Sequence, residues 1–332
     1  MKSRGKLFAI VMVAVMISLL LVGCGSSEGK PSGSTDDPQK LTLGLALTDV
    51  RGPFFSALAY GVSSRAEELG VELVLVSAGG YDNIDKQISQ LEDLISRKVD
   101  GILLDAVDEK AIPPMIDEAV AHNIPVMGTG SQIESTNCVS SVSVDHTELG
   151  REMARYLVES MDAKGGILVL AGPSGALWSE NRYRGFMEII EQYPEMEILA
   201  TQWGLPDRAE GLRLAEDLLG RFPEATGMYA ADDAIGQGAG DALVATGKEE
   251  QIELVTSVLG FDTEAMIRSG AIDATVAHRT VLIGQLSVDT MMDVIAGNSV
   301  EKEIYVPSVT VTKDNIDTIN IDEIRQPEDW RP

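Results

Sequence analysis

The 332-residue chain carries 26 Lys and Arg against 52 Asp and Glu, a formal charge of −26, and 44% of it is hydrophobic. So acidic a chain argues against nucleic acid, whose phosphates need clustered Lys and Arg, and against anionic lipid headgroups. Two cysteines and three well-separated histidines (His122, His146, His278) offer neither a disulfide framework nor a transition-metal ligand set, so no cofactor is expected.

Lys2, Arg4 and Lys6 precede the apolar run Leu7 to Val22. That is a secretory signal, shorter than the ~20 apolar residues that comfortably span a bilayer. The run ends in Leu21-Val22-Gly23-Cys24, which looks like a bacterial lipobox. Residues 1–23 would then be removed, and acylated Cys24 would hold the mature chain at the extracytoplasmic face of a bacterial membrane. Residues 24–40 read as a disordered tether, because Gly25 to Pro38 has no large apolar residue. Gly25-Ser26-Ser27-Glu28-Gly29 satisfies a hydrolase pattern, but no strand precedes it and no helix follows. With Cys24 committed to lipid, Cys138 is unpaired and reads as a small buried residue.

From Leu41 the chain alternates β-rich runs with helix-period segments. Leu41–Thr48 is a predicted strand, Pro53–Leu69 a helix with Pro in its first turn, and Val71–Ser77 the next strand. Ile84, Ile88, Leu91 and Ile95 mark one helical face before the strand Gly101–Asp105. Ile112–His122 is a third helix, Ile124–Gly128 a fourth strand and Val139–Asp145 a fifth segment. The cycle then restarts with helix Thr147–Met161. Strands are predicted at Gly166–Ala171, Glu197–Trp203, Gly227–Ala231, Ile252–Phe261 and Ala274–Ala277. Helices fall at Trp178–Tyr193, Arg208–Phe222, Ala234–Ala245, Thr263–Arg268 and Leu282–Ile295, before a last extended run, Glu303–Thr312. This alternation predicts two doubly wound parallel sheets in α/β halves. Residues 41–143 with 279–307 would form one lobe and 144–278 with 308–325 the other. Three hinge segments, near Val144-Asp145, His278-Arg279 and Pro307-Ser308, would join them. A cleft between such lobes is the expected ligand site.

The polar residues at strand ends are the candidates. Thr48-Asp49-Val50-Arg51-Gly52-Pro53-Phe54-Phe55 follows the first strand, Asp105 ends the third, and Gly128-Thr129-Gly130-Ser131-Gln132 follows the fourth. Asp232-Asp233, Asp262 and His278-Arg279 end later ones, and Trp178 follows the loop Gly172-Pro173-Ser174-Gly175. Carboxylates and guanidiniums in one cleft suit an uncharged polyol, and Phe54, Phe55 or Trp178 suit the C–H face of a sugar ring. Each residue alone could be a cap, a turn or core packing.

Pro53-Phe54-Phe55, Lys98-Val99-Asp100-Gly101-Ile102-Leu103-Leu104 before Asp105, and Ile124-Pro125-Val126 come in a telling order. Arg182-Tyr183-Arg184-Gly185-Phe186, Ala231-Asp232-Asp233, Gly260-Phe261-Asp262 and Val311-Thr312-Lys313-Asp314-Asn315 continue it. In this the chain resembles the periplasmic ribose- and galactose-binding protein family, the type I fold of sugar receptors for ABC importers. The resemblance implies that Phe54 and Phe55 sandwich a sugar ring. It also implies that Arg182, Asp232, Asp262 and His278 bind hydroxyls, with Asp233 structural. The chain departs from ribose receptors where Gly130-Ser131 replaces Asp-Arg, where Asp232 replaces Asn and where His278 replaces Gln. The second lobe's aromatic cover falls near Pro206, with Trp203 close by.

The implied function is a monomeric, lipid-anchored receptor that captures a sugar or polyol and delivers it to an ABC permease. The alternative is a receptor for a sensor kinase or chemoreceptor, with the same cleft chemistry. An enzyme is not expected. Gly236-Gln237-Gly238-Ala239-Gly240-Asp241 lacks the third glycine of a dinucleotide loop at position 241, and no phosphate-cradling Gly-x-x-x-x-Gly-Lys run exists.

Overall fold

The run Thr42–Leu47 forms strand β1, buried in all but its first residue because helices cover both faces of its sheet. The computed structural model describes residues 40–332, so the predicted signal, tether and Cys24 attachment lie outside the described residues. From β1 the chain runs through α1 (Pro53–Glu68), β2 (Glu72–Ser77), α2 (Ile84–Arg97), β3 (Gly101–Leu104), α3 (Pro113–Ala121), β4 (Val126–Thr129) and β5 (Ser141–Ser143). It continues through α4 (His146–Ser160), β6 (Gly165–Leu170), α5 (Leu177–Ile190), β7 (Met196–Gln202), α6 (Arg208–Arg221), β8 (Ala225–Ala230) and α7 (Asp233–Thr246). The order closes with β9 (Glu253–Ser257), α8 (Phe261–Ser269), β10 (Ala274–Ala277), α9 (Thr280–Ile295), β11 (Glu303–Tyr305) and β12 (Val309–Thr312).

Two sheets of six strands result, ordered β11-β5-β4-β3-β1-β2 and β12-β10-β9-β8-β6-β7. The doubly wound α/β architecture expected from the alternation is thus present. All pairings are parallel except β10–β12, and Leu45 of β1 lies between Leu75 and Leu103 in register. The chain leaves the first sheet after β5, returns after β10, and crosses again between β11 and β12. Helix α9 packs on α1 and on β3, β4 and β5, whereas α4 packs on α5, β9 and β10.

Two segments differ from the sequence expectation. The extended run Glu303–Thr312 is two strands in different sheets, split at Val306-Pro307-Ser308, where Pro307 cannot donate to a ladder. The strand expected over Ile252–Phe261 stops at Ser257. Val258 takes φ 69°, a left-handed conformation costly for a β-branched residue, and Gly260 then caps α8.

One helix contact bears directly on the site. A Cβ on Gly150 of α4 would meet the Arg182 carbonyl, and one on Gly185 of α5 would meet that of Thr147. The two glycines let α4 and α5 touch backbone to backbone, which fixes where Arg182 stands. Beyond β12, Trp330 packs edge-on against Tyr60 of α1, with ring centroids 5.4 Å apart.

Candidate functional site: a cleft at the strand ends of both sheets

In both sheets the strand order reverses at a central strand, β1 in the first and β6 in the second. Ligands of such sheets sit beyond the carboxyl ends of strands at that switch point. Here those ends open on a cleft of about 490 Å³. Asp49 and Arg51 follow β1, Asp105 follows β3 and Ser131 follows β4, while Asp232 follows β8 and His278 follows β10; all six line it.

Arg182 is its organising group, only 4% exposed. Nη1 donates to the Ala231 carbonyl at 2.7 Å and to Ser257 Oγ at 2.8 Å, and Nε donates to His146 Nδ1 at 3.2 Å. Nη2 lies 3.3 Å from His278 Nε2, and the guanidinium stacks 4.6 Å from the centre of the Trp178 ring. Since arginine can only donate, His146 Nδ1 and His278 Nε2 both accept, which places each histidine's proton on its other nitrogen. Burial, and then the Arg182 charge, hold both histidines well below their usual pKa, so they are neutral. His278 Nδ1 and the Trp178 indole N–H are buried with no acceptor in the chain. Both are unpartnered donors on residues that line the cleft.

Three carboxylates face these donors. Asp232 caps α7, accepting the Ile235 N–H at 2.8 Å, so the cap and the site are one residue. Burial raises its pKa, and burial together with the Asp232 charge raises that of Asp233. Asp105 is pushed up to about 7, first by burial and also by Glu109, against the Thr48 N–H it accepts at 3.1 Å. Buried Gln87 of α2 props this turn, donating to the Asp105 carbonyl at 2.8 Å and accepting the Val107 N–H at 2.8 Å.

Arg51 has little left for a ligand. Its Nη2 donates to Asp49 at 2.6 Å and to the Gly79 carbonyl at 2.9 Å, and its side chain is 75% exposed. Burial raises the Asp49 carboxyl, but the Arg51 and Val50 donors outweigh it and leave the pKa lowered. Ser131 Oγ accepts the Ala106 N–H at 3.2 Å, tying the β3 and β4 ends together. Phe54 and Phe55, adjacent at the start of α1, stand edge to face at 5.4 Å and both line the cleft. Phe54 also packs on the core and meets the His278 ring at 5.7 Å.

A cleft lined this way is chemically suited to hold and orient a polyhydroxylated molecule. Residues 43–299 match the periplasmic binding protein domain family. The chain belongs to that family. It is 30% identical over 305 residues to the ribose import binding protein of Bacillus subtilis (strain 168), covering 90% of this chain and 96% of that one. It is 25% identical over 314 residues to the xylitol-binding protein of Mycolicibacterium smegmatis, covering 92% of this chain and 86% of that one. A solved sugar ABC transport substrate-binding protein from Bordetella parapertussis 12822 superposes with TM-score 0.83 at 26% identity, covering 89% and 96% of the two chains. Each of these relatives is named as a binding protein, and none as an enzyme.

Of the ten residues singled out in sequence, nine line the cleft: Arg51, Phe54, Phe55, Asp105, Ser131, Trp178, Arg182, Asp232 and His278. Asp262 does not. Gly260-Phe261-Asp262 opens helix α8 instead of ending a strand, so the Asp262 side chain is 74% exposed and lies 3.7 Å from Arg208. In this structure Asp262 therefore stands outside the cleft in which it was expected as a hydroxyl ligand. Asp262→Ala is expected to leave ligand affinity within about twofold by calorimetry, as for a surface position outside the site. Pro206, where the second aromatic cover was expected, lines the cleft, whereas Trp203 stacks on Tyr183 at 5.3 Å and lies outside it. Sequence reasoning missed Tyr81, Glu109, His146 and Asn181 as lining groups. His146 could have been found, because it directly follows the chain's exit from the first sheet. The dinucleotide-like glycines Gly236 and Gly238 are buried inside α7, where close helix and strand neighbours leave no room for a Cβ.

Proposed function

We propose that this chain is the extracytoplasmic, lipid-anchored binding protein of an ABC importer, and that it captures a sugar or related polyol in the cleft. One observation supports this above the rest. Arg182-held His278 and Trp178, both with unpartnered donors, line one cleft with the Asp105 and Asp232 carboxylates and with Phe54 and Phe55, a complement to a ring bearing hydroxyls. The ribose and xylitol in the names of the two relatives are molecules of that class.

We further propose residues 41–143 with 279–307 as one lobe and 144–278 with 308–325 as the other. The hinges lie where the chain passes between sheets, and the lobes close over ligand through its higher affinity for the closed form. Nine lining residues from sequence then act as ligand contacts or as supports of contacts, with Arg51 as a support. A melting-temperature screen over sugars, polyols and nucleosides tests the reading. A cognate sugar or polyol at 100 times Kd is expected to add about 2.7 kcal/mol, a rise of about 5 °C or more. No shift with any sugar or polyol would count against it. Among the described residues no helix is long and apolar enough to cross a membrane, so attachment rests on Cys24. Cys24→Ala is expected to move the protein from the membrane to the soluble fraction, and unchanged fractionation would contradict lipid anchoring.

A further inference from the structure

The charges of the cleft do not balance. Arg51 is bound to Asp49 and the Gly79 carbonyl, and both Asp49 and Arg51 sit at the β1 end. Arg182 directs its hydrogen bonds to Ala231, Ser257, His146 and His278, none of them a carboxylate. Both histidines are neutral. Asp105, Glu109, Asp232 and Asp233 all line the cleft, and among the described residues none of them forms an ion pair. Asp105 is 5% exposed; one of its oxygens accepts the Thr48 N–H, and the Thr48 and Ser131 hydroxyls also act on its carboxylate. Burial has pushed the Asp105 pKa up to about 7, so this closed-in carboxyl holds its negative charge only at a cost, which a cation meeting it would relieve.

A neutral polyol answers only part of this. Its hydroxyls can donate to Asp105 and Glu109, and His278 Nδ1 and the Trp178 N–H can donate to its oxygens. Arg182 serves Asp232 and Asp233, so any negative charge on Asp105 and Glu109 would stay without a cation. An ammonium group would satisfy it with charge-assisted hydrogen bonds, about twice as strong as neutral ones. The neighbouring walls suit such a group as well. Phe55 faces Tyr81 at 6.4 Å, and both rings line the same cleft, where aromatic faces attract cations.

Resting on the cleft being the ligand site, we propose that its ligand is an amino sugar or amino-polyol, whose protonated amine is received by Asp105 and Glu109 while its hydroxyls engage Asp232, His278 and Trp178. Asp105 is then a specificity-determining residue, selecting an ammonium over a hydroxyl at one position of the ligand.

The test compares matched pairs by calorimetry and melting temperature on the mature protein. The pairs are D-glucose with D-glucosamine, D-galactose with D-galactosamine, and D-sorbitol with 1-amino-1-deoxy-D-sorbitol, with D-ribose and xylitol as further neutral probes. At least one amine is expected to bind about tenfold or more tighter than its hydroxyl partner, and Asp105→Asn is expected to erase that difference. Glu109→Gln serves as the second variant should Asp105→Asn fail to fold, and it is expected to cut the preference by about threefold or more. If the neutral member of every pair binds as well or better, or if the preference survives both substitutions, the amine assignment is overturned while the polyol reading stands. If neither neutral nor amine compounds bind, both fall.

Discussion

Replacing Arg182 by Met is expected to abolish measurable ligand binding and to lower the melting temperature of the free protein by about 5–10 °C, a loss of about 2–4 kcal/mol. The size of the effect follows from how many partners the guanidinium serves. One side chain joins the β8 end through Ala231, the β9 end through Ser257, the start of α4 through His146 and the end of β10 through His278. Burial lowers the Arg182 pKa, while the Tyr229 phenol and the Asp232 and Asp233 carboxylates act to keep it charged. Its removal leaves that carboxylate pair in a buried site without the nearest positive charge, and leaves two histidine acceptors without a donor. Lysine would not rescue it, because a single ammonium cannot span four partners held by a planar fork. Calorimetry and thermal denaturation check both halves. An Arg182→Met protein that melts and binds as the parent does would remove Arg182 from the centre of the site.

Gly260→Val is expected to weaken ligand binding about ten- to hundredfold while leaving the melting temperature of the free protein nearly unchanged. Gly260 takes φ −89°, ψ 177°, extended backbone open to any residue, so valine there brings no backbone strain. A side chain at this position would instead run into the ring of Pro53, whose Cβ lies 2.9 Å from the position a Cβ would take. Pro53 opens α1 on the first sheet's side of the cleft, and Gly260 caps α8 on the second sheet's side. On the proposed hinge mechanism the clash exists only when the two rims meet. Overpacking of this kind costs about 1–3 kcal/mol, and on the proposed hinge mechanism it is charged to the closed form alone. Affinity measured by calorimetry beside the melting temperature separates a closure defect from a folding defect. A loss of stability matching the loss of affinity would instead make Gly260 an ordinary packing position.

Much of this was legible before any coordinates. The alternation of short β-rich runs such as Leu41–Thr48 with periodic helices such as Ile84-Ile88-Leu91-Ile95 specifies a parallel sheet, since strands buried on both faces need helical cover. Strand ends then point to the site, which is why Asp105, Asp232 and His278 could be named from position alone. The failures have local causes. Asp262 was expected at a strand end because hydrophobicity carries Leu259-Gly260-Phe261 on as strand, whereas the left-handed turn at Val258 leaves Ser257 as the last strand residue, four residues earlier. His146 and Gln87 were missed because their roles arise from contacts across 36 and 18 residues of chain, with Arg182 and with the Asp105 carbonyl, which no local pattern encodes. Arg51 was read as a ligand contact, but its acceptor stands two residues before it in Asp49. Phe54 and Phe55, adjacent and so on different helix faces, both reach the cleft because they sit in the first turn, where the helix end itself forms the wall.

The claim on which the rest depends is that ligand enters between two bodies that move together around it. Small-angle X-ray scattering of the mature protein, titrated with a ligand found in the melting screen, addresses this most directly. Saturating ligand is expected to reduce the radius of gyration of the parent protein, with Gly260→Val reaching the compact form only in part. Tight binding with an unchanged scattering curve would show a rigid cleft and contradict the hinge.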